Sequence, residues 1–224
     1  MRKVLAFVLI SVVWSTVSLF AQVNPMDLES AEVNAFDRLA MLPYSKSLDV
    51  VGTAFELASV LTPAVLLSVP ANEWLPIGIM YVETMLVAYG LKELGKLCIH
   101  RFRPYLYFDS YPQHAVDDGD AADSFPSGHA TMAFAGAAFA SSVYAAYYPD
   151  SSWKVPVTVA SYTLASVAAI LRVASGNHFM TDVLAGALIG TAVGIGIPWL
   201  HKRVGTSSIT SSVSPFSLAF GIAW

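Results

Sequence analysis

The chain has 224 residues, 55% of them apolar and only 12% charged, with a mean hydropathy of +0.58. A soluble domain carries about a quarter charged residues, so this composition points to an integral membrane protein. A net charge of −4 without a basic run argues against a nucleic-acid partner, and a single cysteine, Cys98, excludes an internal disulfide and a cysteine-rich zinc site.

The N-terminus places Arg2 and Lys3 before an apolar run that ends at Ala21-Gln22. Residues 1–21 therefore read as a signal peptide or a first span, with Leu19 a poor residue three before the cut. Either reading starts Val23 outside the cytoplasm. Residues 22–50 form an extracytoplasmic amphipathic segment. Leu28, Val33, Phe36, Leu39 and Leu42 have helical spacing and stop at Pro43, which predicts a short helix on the membrane surface.

Residues 51–203 make up the helical domain. Five apolar stretches, near 51–69, 75–95, 128–148, 154–171 and 179–200, each approach the 20 or so residues that a bilayer core requires. The expected fold is an all-α, membrane-embedded bundle of five to six spans. Glu56, Glu83 and Lys92 interrupt the stretches and must face protein or water. Gly186, Gly190 and Gly194 recur at every fourth position of the last span, a spacing that serves close helix packing. Counting spans from outside puts the loop 96–127 outside and His201, Lys202 and Arg203 in the cytoplasm, in accord with the positive-inside tendency. The tail 204–224 ends in a strand-like alternation, Phe216, Leu218, Phe220, Ile222, Trp224, for which the rest of the chain offers no context.

Three motifs fall on the outer side. Lys96 and Arg103 are seven positions apart, about two helical turns, and Pro104 ends that segment. Pro126-Ser127-Gly128-His129 opens the third stretch. Arg172, His178 and Asp182 close the set, with His178 and Asp182 neighbours at a separation of four on a helix. His129 to Arg172 is 43 positions, the length of two spans and a turn, so the chain crosses and returns to the same leaflet.

Such a set suits a tetrahedral dianion. Arg103 and Arg172 present paired donors and Lys96 a point charge. The Ser127 hydroxyl and the Gly128 amide sit where free amides and the helix dipole favour an anion. A neutral imidazole is a competent nucleophile. His178 has Asp182 to fix its tautomer and stabilise its cation, whereas His129, without such a partner in its own motif, suits the general acid. The chemistry so predicted is a phosphohistidine on His178, hydrolysed by water with His129 as base. No carboxylate cluster is needed, so no metal or other cofactor is expected.

Lys-x6-Arg-Pro, Pro-Ser-Gly-His and Arg-x5-His-x3-Asp, over residues 96–182, resemble the three-part signature of the type 2 phosphatidic acid phosphatase family. That family includes lipid phosphatases, soluble acid phosphatases and vanadium haloperoxidases. The resemblance implies a six-helix core and metal-free hydrolysis of a lipid phosphate or diphosphate. Phosphatidate, phosphatidylglycerophosphate, undecaprenyl diphosphate and lipid A are all open as substrates. The chain departs from the signature at Leu171, where a serine often precedes the arginine.

The expected setting is the cytoplasmic membrane, with the site facing outward and a phospholipid or isoprenoid phosphate as its partner. A secreted acid phosphatase, a vanadate-dependent haloperoxidase and a non-enzymatic phospholipid-binding or transport protein are the alternatives. Lys92, outside the signature, reads as a snorkelling anchor, and His100, His114 and His201 as ordinary satisfied histidines. Asp117, Asp118, Asp120 and Asp123 lack the calcium-loop order and read as a solvated loop. Tyr105, Tyr107, Phe108 and Tyr111 read as an interfacial belt or as the mouth through which a headgroup enters.

Overall fold

The structure is a computed structural model that describes residues 28, 32–117 and 119–205. The expected signal or first span at 1–21 and the tail beyond 205 lie outside those residues. Seven α-helices are present among them: α1 (Ala35–Arg38), α2 (Lys46–Val60), α3 (Trp74–Cys98), α4 (Gln113–Asp117), α5 (Gly128–Tyr147), α6 (Lys154–Ala174) and α7 (Met180–Gly205). Short 3-10 turns over Thr62–Ser68, Ala71–Glu73, Pro104–Tyr107 and Asp120–Ala122 join them.

Among the described residues, the segment expected as an amphipathic helix before Pro43 holds the single turn of α1. The cause is polar. Asn34 caps the turn by accepting from the Asp37 amide, and Asp37 is drawn wholly inside to meet Arg101 and Thr181. Pro43 then forbids continuation. Helix α2 starts at Lys46, five residues before the hydropathy boundary, so the domain reaches further upstream than 51 and includes Asp49.

Among the described residues, four segments are long and apolar enough to cross a membrane: Lys46–Ser68, Ala71–Cys98, Lys154–Ala174 and Met180–Lys202. The other long helix, α5, is the hub. It packs against α2, α3, α6 and α7. Twelve of its residues are buried, seven of them alanine or glycine. A helix walled by protein needs small side chains rather than the large apolar ones that face lipid.

The glycine stripe of α7 lies against α5. A Cβ at Gly186 would stand 2.6 Å from the Ser127 carbonyl oxygen, and one at Gly194 2.6 Å from that of Ala135. Backbone therefore meets backbone along this seam. The seam and the turns at its Ser127 end set the relative height of His129 and His178.

Candidate active site

Five helix ends meet at one end of the bundle, and their side chains enclose a cavity of about 440 Å³. Lys96, Arg103, Gly128, His129, Arg172 and His178 all line it, so six of the eight sequence-predicted site residues converge. Ser127 and Asp182 do not line it. Both histidines share one cavity at one face.

His178 sits in the turn between α6 and α7. Gly176 makes that turn with φ +73, and a Cβ there would strike the Leu42 carbonyl oxygen at 2.5 Å. The amides of Asn177 and His178 then close back onto the Arg172 carbonyl. The His178 ring is buried, with Nδ1 2.8 Å from the Ser124 carbonyl oxygen. A carbonyl only accepts, so Nδ1 carries the proton and Nε2 keeps its lone pair. Arg103 Nη1 lies 3.2 Å from that Nε2. Burial, then the Arg103 and Arg172 charges, hold the ring well below its ordinary titration range, so it is neutral.

The expected direct bond from Asp182 to His178 is not formed. Asp182 Oδ2 is 3.7 Å from Nδ1, beyond hydrogen-bond reach. Its oxygens are already committed: Arg101 Nη1 donates to Oδ1 at 2.6 Å, and Ser124 Oγ at 2.5 Å and the Phe179 amide at 2.9 Å donate to Oδ2. Asp182 thus reaches His178 through Ser124, whose hydroxyl binds the carboxylate while its carbonyl binds the ring. Arg101 also donates to Asp37 at 2.6 Å and lies 4.0 Å over the Phe179 ring. The spacing of four made Asp182 and His178 neighbours, but a third residue took the bond.

Ser127 is the N-cap of α5, accepting from the Ala130 amide at 3.4 Å, while its own amide donates to the Asp182 carbonyl. Its hydroxyl is turned into the helix end rather than toward the cavity. Gly128 does face the cavity, against the stem of Lys92. Lys92 is no snorkelling anchor: it lines the cavity, pairs with Glu93 and lies 4.0 Å over Tyr89.

The acidic loop is not simply solvated. Asp120 Oδ1 accepts from Arg103 Nη2 at 2.7 Å and stands 3.9 Å from Lys96 Nζ. Burial raises its pKa, but the Arg103 and Lys96 charges outweigh that and hold it below the usual range. Tyr105 is not part of an interfacial belt either. It is fully buried, lines the cavity and meets Tyr44 edge-on at 5.9 Å. Arg172 is 4% exposed and pairs with Asp49 of α2. Its Nε and the Tyr105 hydroxyl have no hydrogen-bond partner among the described residues.

His129 projects from the first turn of α5. Its Nε2 is 3.1 Å from Thr53 Oγ1 and 3.2 Å from Glu56 Oε2. Glu56 was visible in the sequence as an ionisable group that had to turn inward. Asp49, Arg101, Ser124 and Asp120 carried no such mark.

A family model described as the PAP2 superfamily matches residues 78–205. A curated relative, the lipid A 1-phosphatase of Porphyromonas gingivalis, is 36% identical over 115 residues. That alignment covers 51% of this chain and only 22% of the relative's length. The crystal structure of Aquifex aeolicus LpxE superposes with a TM-score of 0.50 at 25% identity, over 73% of this chain and 92% of that one. A transmembrane PAP2-type phosphatidylglycerolphosphate phosphatase from Bacillus subtilis superposes with a TM-score of 0.48 at 22% identity, over 76% and 84% of the two chains.

Proposed function

The chain belongs to the PAP2 superfamily, and from that premise we propose that it is a multi-pass membrane phosphatase acting on a lipid phosphate or diphosphate. The observation that carries the reading is the cavity itself. An unprotonated His178 Nε2 faces Arg103, with His129, Lys96 and the unpartnered Arg172 Nε on the same walls.

In the first step the His178 Nε2 lone pair forms a bond to phosphorus and the bond to the leaving oxygen breaks. That oxygen takes a proton from His129. Lys96, Arg103, Arg172 and the Gly128 amide hold the remaining phosphoryl oxygens. Asp182, through Ser124, keeps Nδ1 protonated and its ring oriented. Water then attacks the phosphohistidine and gives its proton to His129. The electron pair of the P–N bond returns to His178, and inorganic phosphate leaves. The basic residues Lys202 and Arg203, at the end of α7 away from the cavity, support an inner-membrane protein whose site opens to the periplasm.

Purified full-length protein is tested for phosphate release from phosphatidate, phosphatidylglycerophosphate, undecaprenyl diphosphate and lipid A in EDTA. Release from at least one, abolished in His178→Ala and Arg172→Ala, supports the reading. Release that survives His178→Ala, or that vanishes with EDTA, overturns it.

A further inference from the structure

We propose that Glu56, on α2, is a positioning residue that sets the proton of His129, resting on the reading above that His129 protonates the leaving oxygen. Glu56 belongs to none of the three motifs. It lies within an apolar crossing segment, where a carboxylate is costly unless a partner or water receives it. Its side chain is 17% exposed, lines the cavity and reaches His129 Nε2 at 3.2 Å.

Thr53 determines the direction of that contact. The Thr53 hydroxyl donates its single proton to the Asp49 carbonyl at 3.1 Å, an ordinary bond back along α2. Its oxygen is then left to accept, so the 3.1 Å contact to His129 Nε2 places a proton on that nitrogen. Glu56 Oε2, 3.2 Å from the same nitrogen, is placed as the ion-pair partner of a protonated ring, with Thr53 holding the hydrogen bond. Thr53 and Glu56 come from one helical turn of α2, three residues apart. His129 thus enters the reaction with Nε2 already protonated, as a general acid must. The role of Glu56 is to favour the doubly protonated ring: the arriving leaving oxygen replaces Thr53 as acceptor and takes the Nε2 proton, the electron pair of that N–H bond stays on Nε2, and the imidazolium becomes neutral imidazole.

The charges around His129 make such a partner necessary. Arg172 of α6, Arg103 of the outer loop and Lys92 of α3 face it, as does neutral His178 before α7. All three cations oppose a positive ring. Asp49 and Glu56 of α2 oppose them, and Asp49 is held by Arg172. Glu56 is the carboxylate in direct reach of the ring.

Single-turnover release of the leaving group separates this role from a merely structural one. The probes are a short-chain phosphatidate, whose alkoxide needs a proton, and p-nitrophenyl phosphate, whose phenolate does not. Glu56→Gln should lose at least about tenfold with phosphatidate and less than about threefold with p-nitrophenyl phosphate. Its basic limb should also move at least about one pH unit lower, the least that removing an adjacent opposite charge produces. Glu56→Asp should restore part of the limb. Turnover of p-nitrophenyl phosphate also reports that the variant is folded.

Equal losses on both substrates, or a basic limb that stays in place, overturn the role of Glu56. His129→Ala keeps this apart from the underlying reading. If His129→Ala lacks the leaving-group signature, the acid assignment itself falls. If His129→Ala shows it and Glu56→Gln does not, only the present inference falls.

Discussion

Asp182→Asn tests how His178 is tuned. The carboxylate lies 3.7 Å from Nδ1 and is fully buried, with Ser124 between it and the ring. When Nε2 bonds to phosphorus the ring gains positive charge. A unit charge at that distance, at an effective dielectric of about 20, stabilises it by about 4 kcal/mol. Asparagine keeps the shape and removes the charge, so kcat should fall by about a thousandfold, since each 1.4 kcal/mol or so is tenfold. Ser124→Ala keeps the carbonyl that holds Nδ1 and the charge behind it, and removes one hydroxyl donor. It should cost about 1 to 1.5 kcal/mol, roughly tenfold. The assay is kcat for phosphate release by both variants, with quench-flow trapping of the phosphoenzyme. Asp182→Asn retaining a tenth of wild-type kcat would refute the electrostatic argument. Ser124→Ala falling as far as Asp182→Asn would refute the indirect geometry.

Burial and the arginines keep His178 neutral well below its ordinary range, so kcat/KM should show no acid limb near pH 6.5 from this residue. The unfolded chain binds a proton there that the folded chain refuses, so the contribution of His178 to stability is present above about pH 6.5 and declines as pH falls below it. Thermal unfolding of wild type and His178→Gln across that window measures the difference, and parallel curves would contradict it. Gly194→Ala drives a methyl into the Ala135 carbonyl and should lower the unfolding temperature in detergent, while Gly196→Ala, two residues on with open space around it, should not. Asp37→Ala removes the acceptor of Arg101 and of the Thr181 amide and hydroxyl, and should cost about 3 kcal/mol in an unfolding titration, with activity falling as Arg101 loosens its hold on Asp182.

Sequence determines what depends on local order. Apolar runs of bilayer length predict α3, α6 and α7 to within a few residues, because a helix that faces lipid writes its length in hydropathy. Helix α5 was legible as a helix, but its place at the centre shows only in its small residues. The convergence of Lys96, Arg103, His129, Arg172 and His178 followed from counting crossings, since span length fixes which leaflet each motif reaches.

Tertiary structure alone decided the partners. Arg101 meets Asp182 across 81 positions, and Arg172 meets Asp49 across 123. No periodicity links residues so far apart, because their contact is set by how five helix ends tilt together. For the same reason Ser124 rather than Asp182 bonds His178, and Asp120 leaves the solvated loop to sit between Lys96 and Arg103. Motif spacing states which chemical groups gather. Only packing states which lone pair each proton meets, because hydrogen bonds discriminate over less than an ångström while helical spacing is coarse.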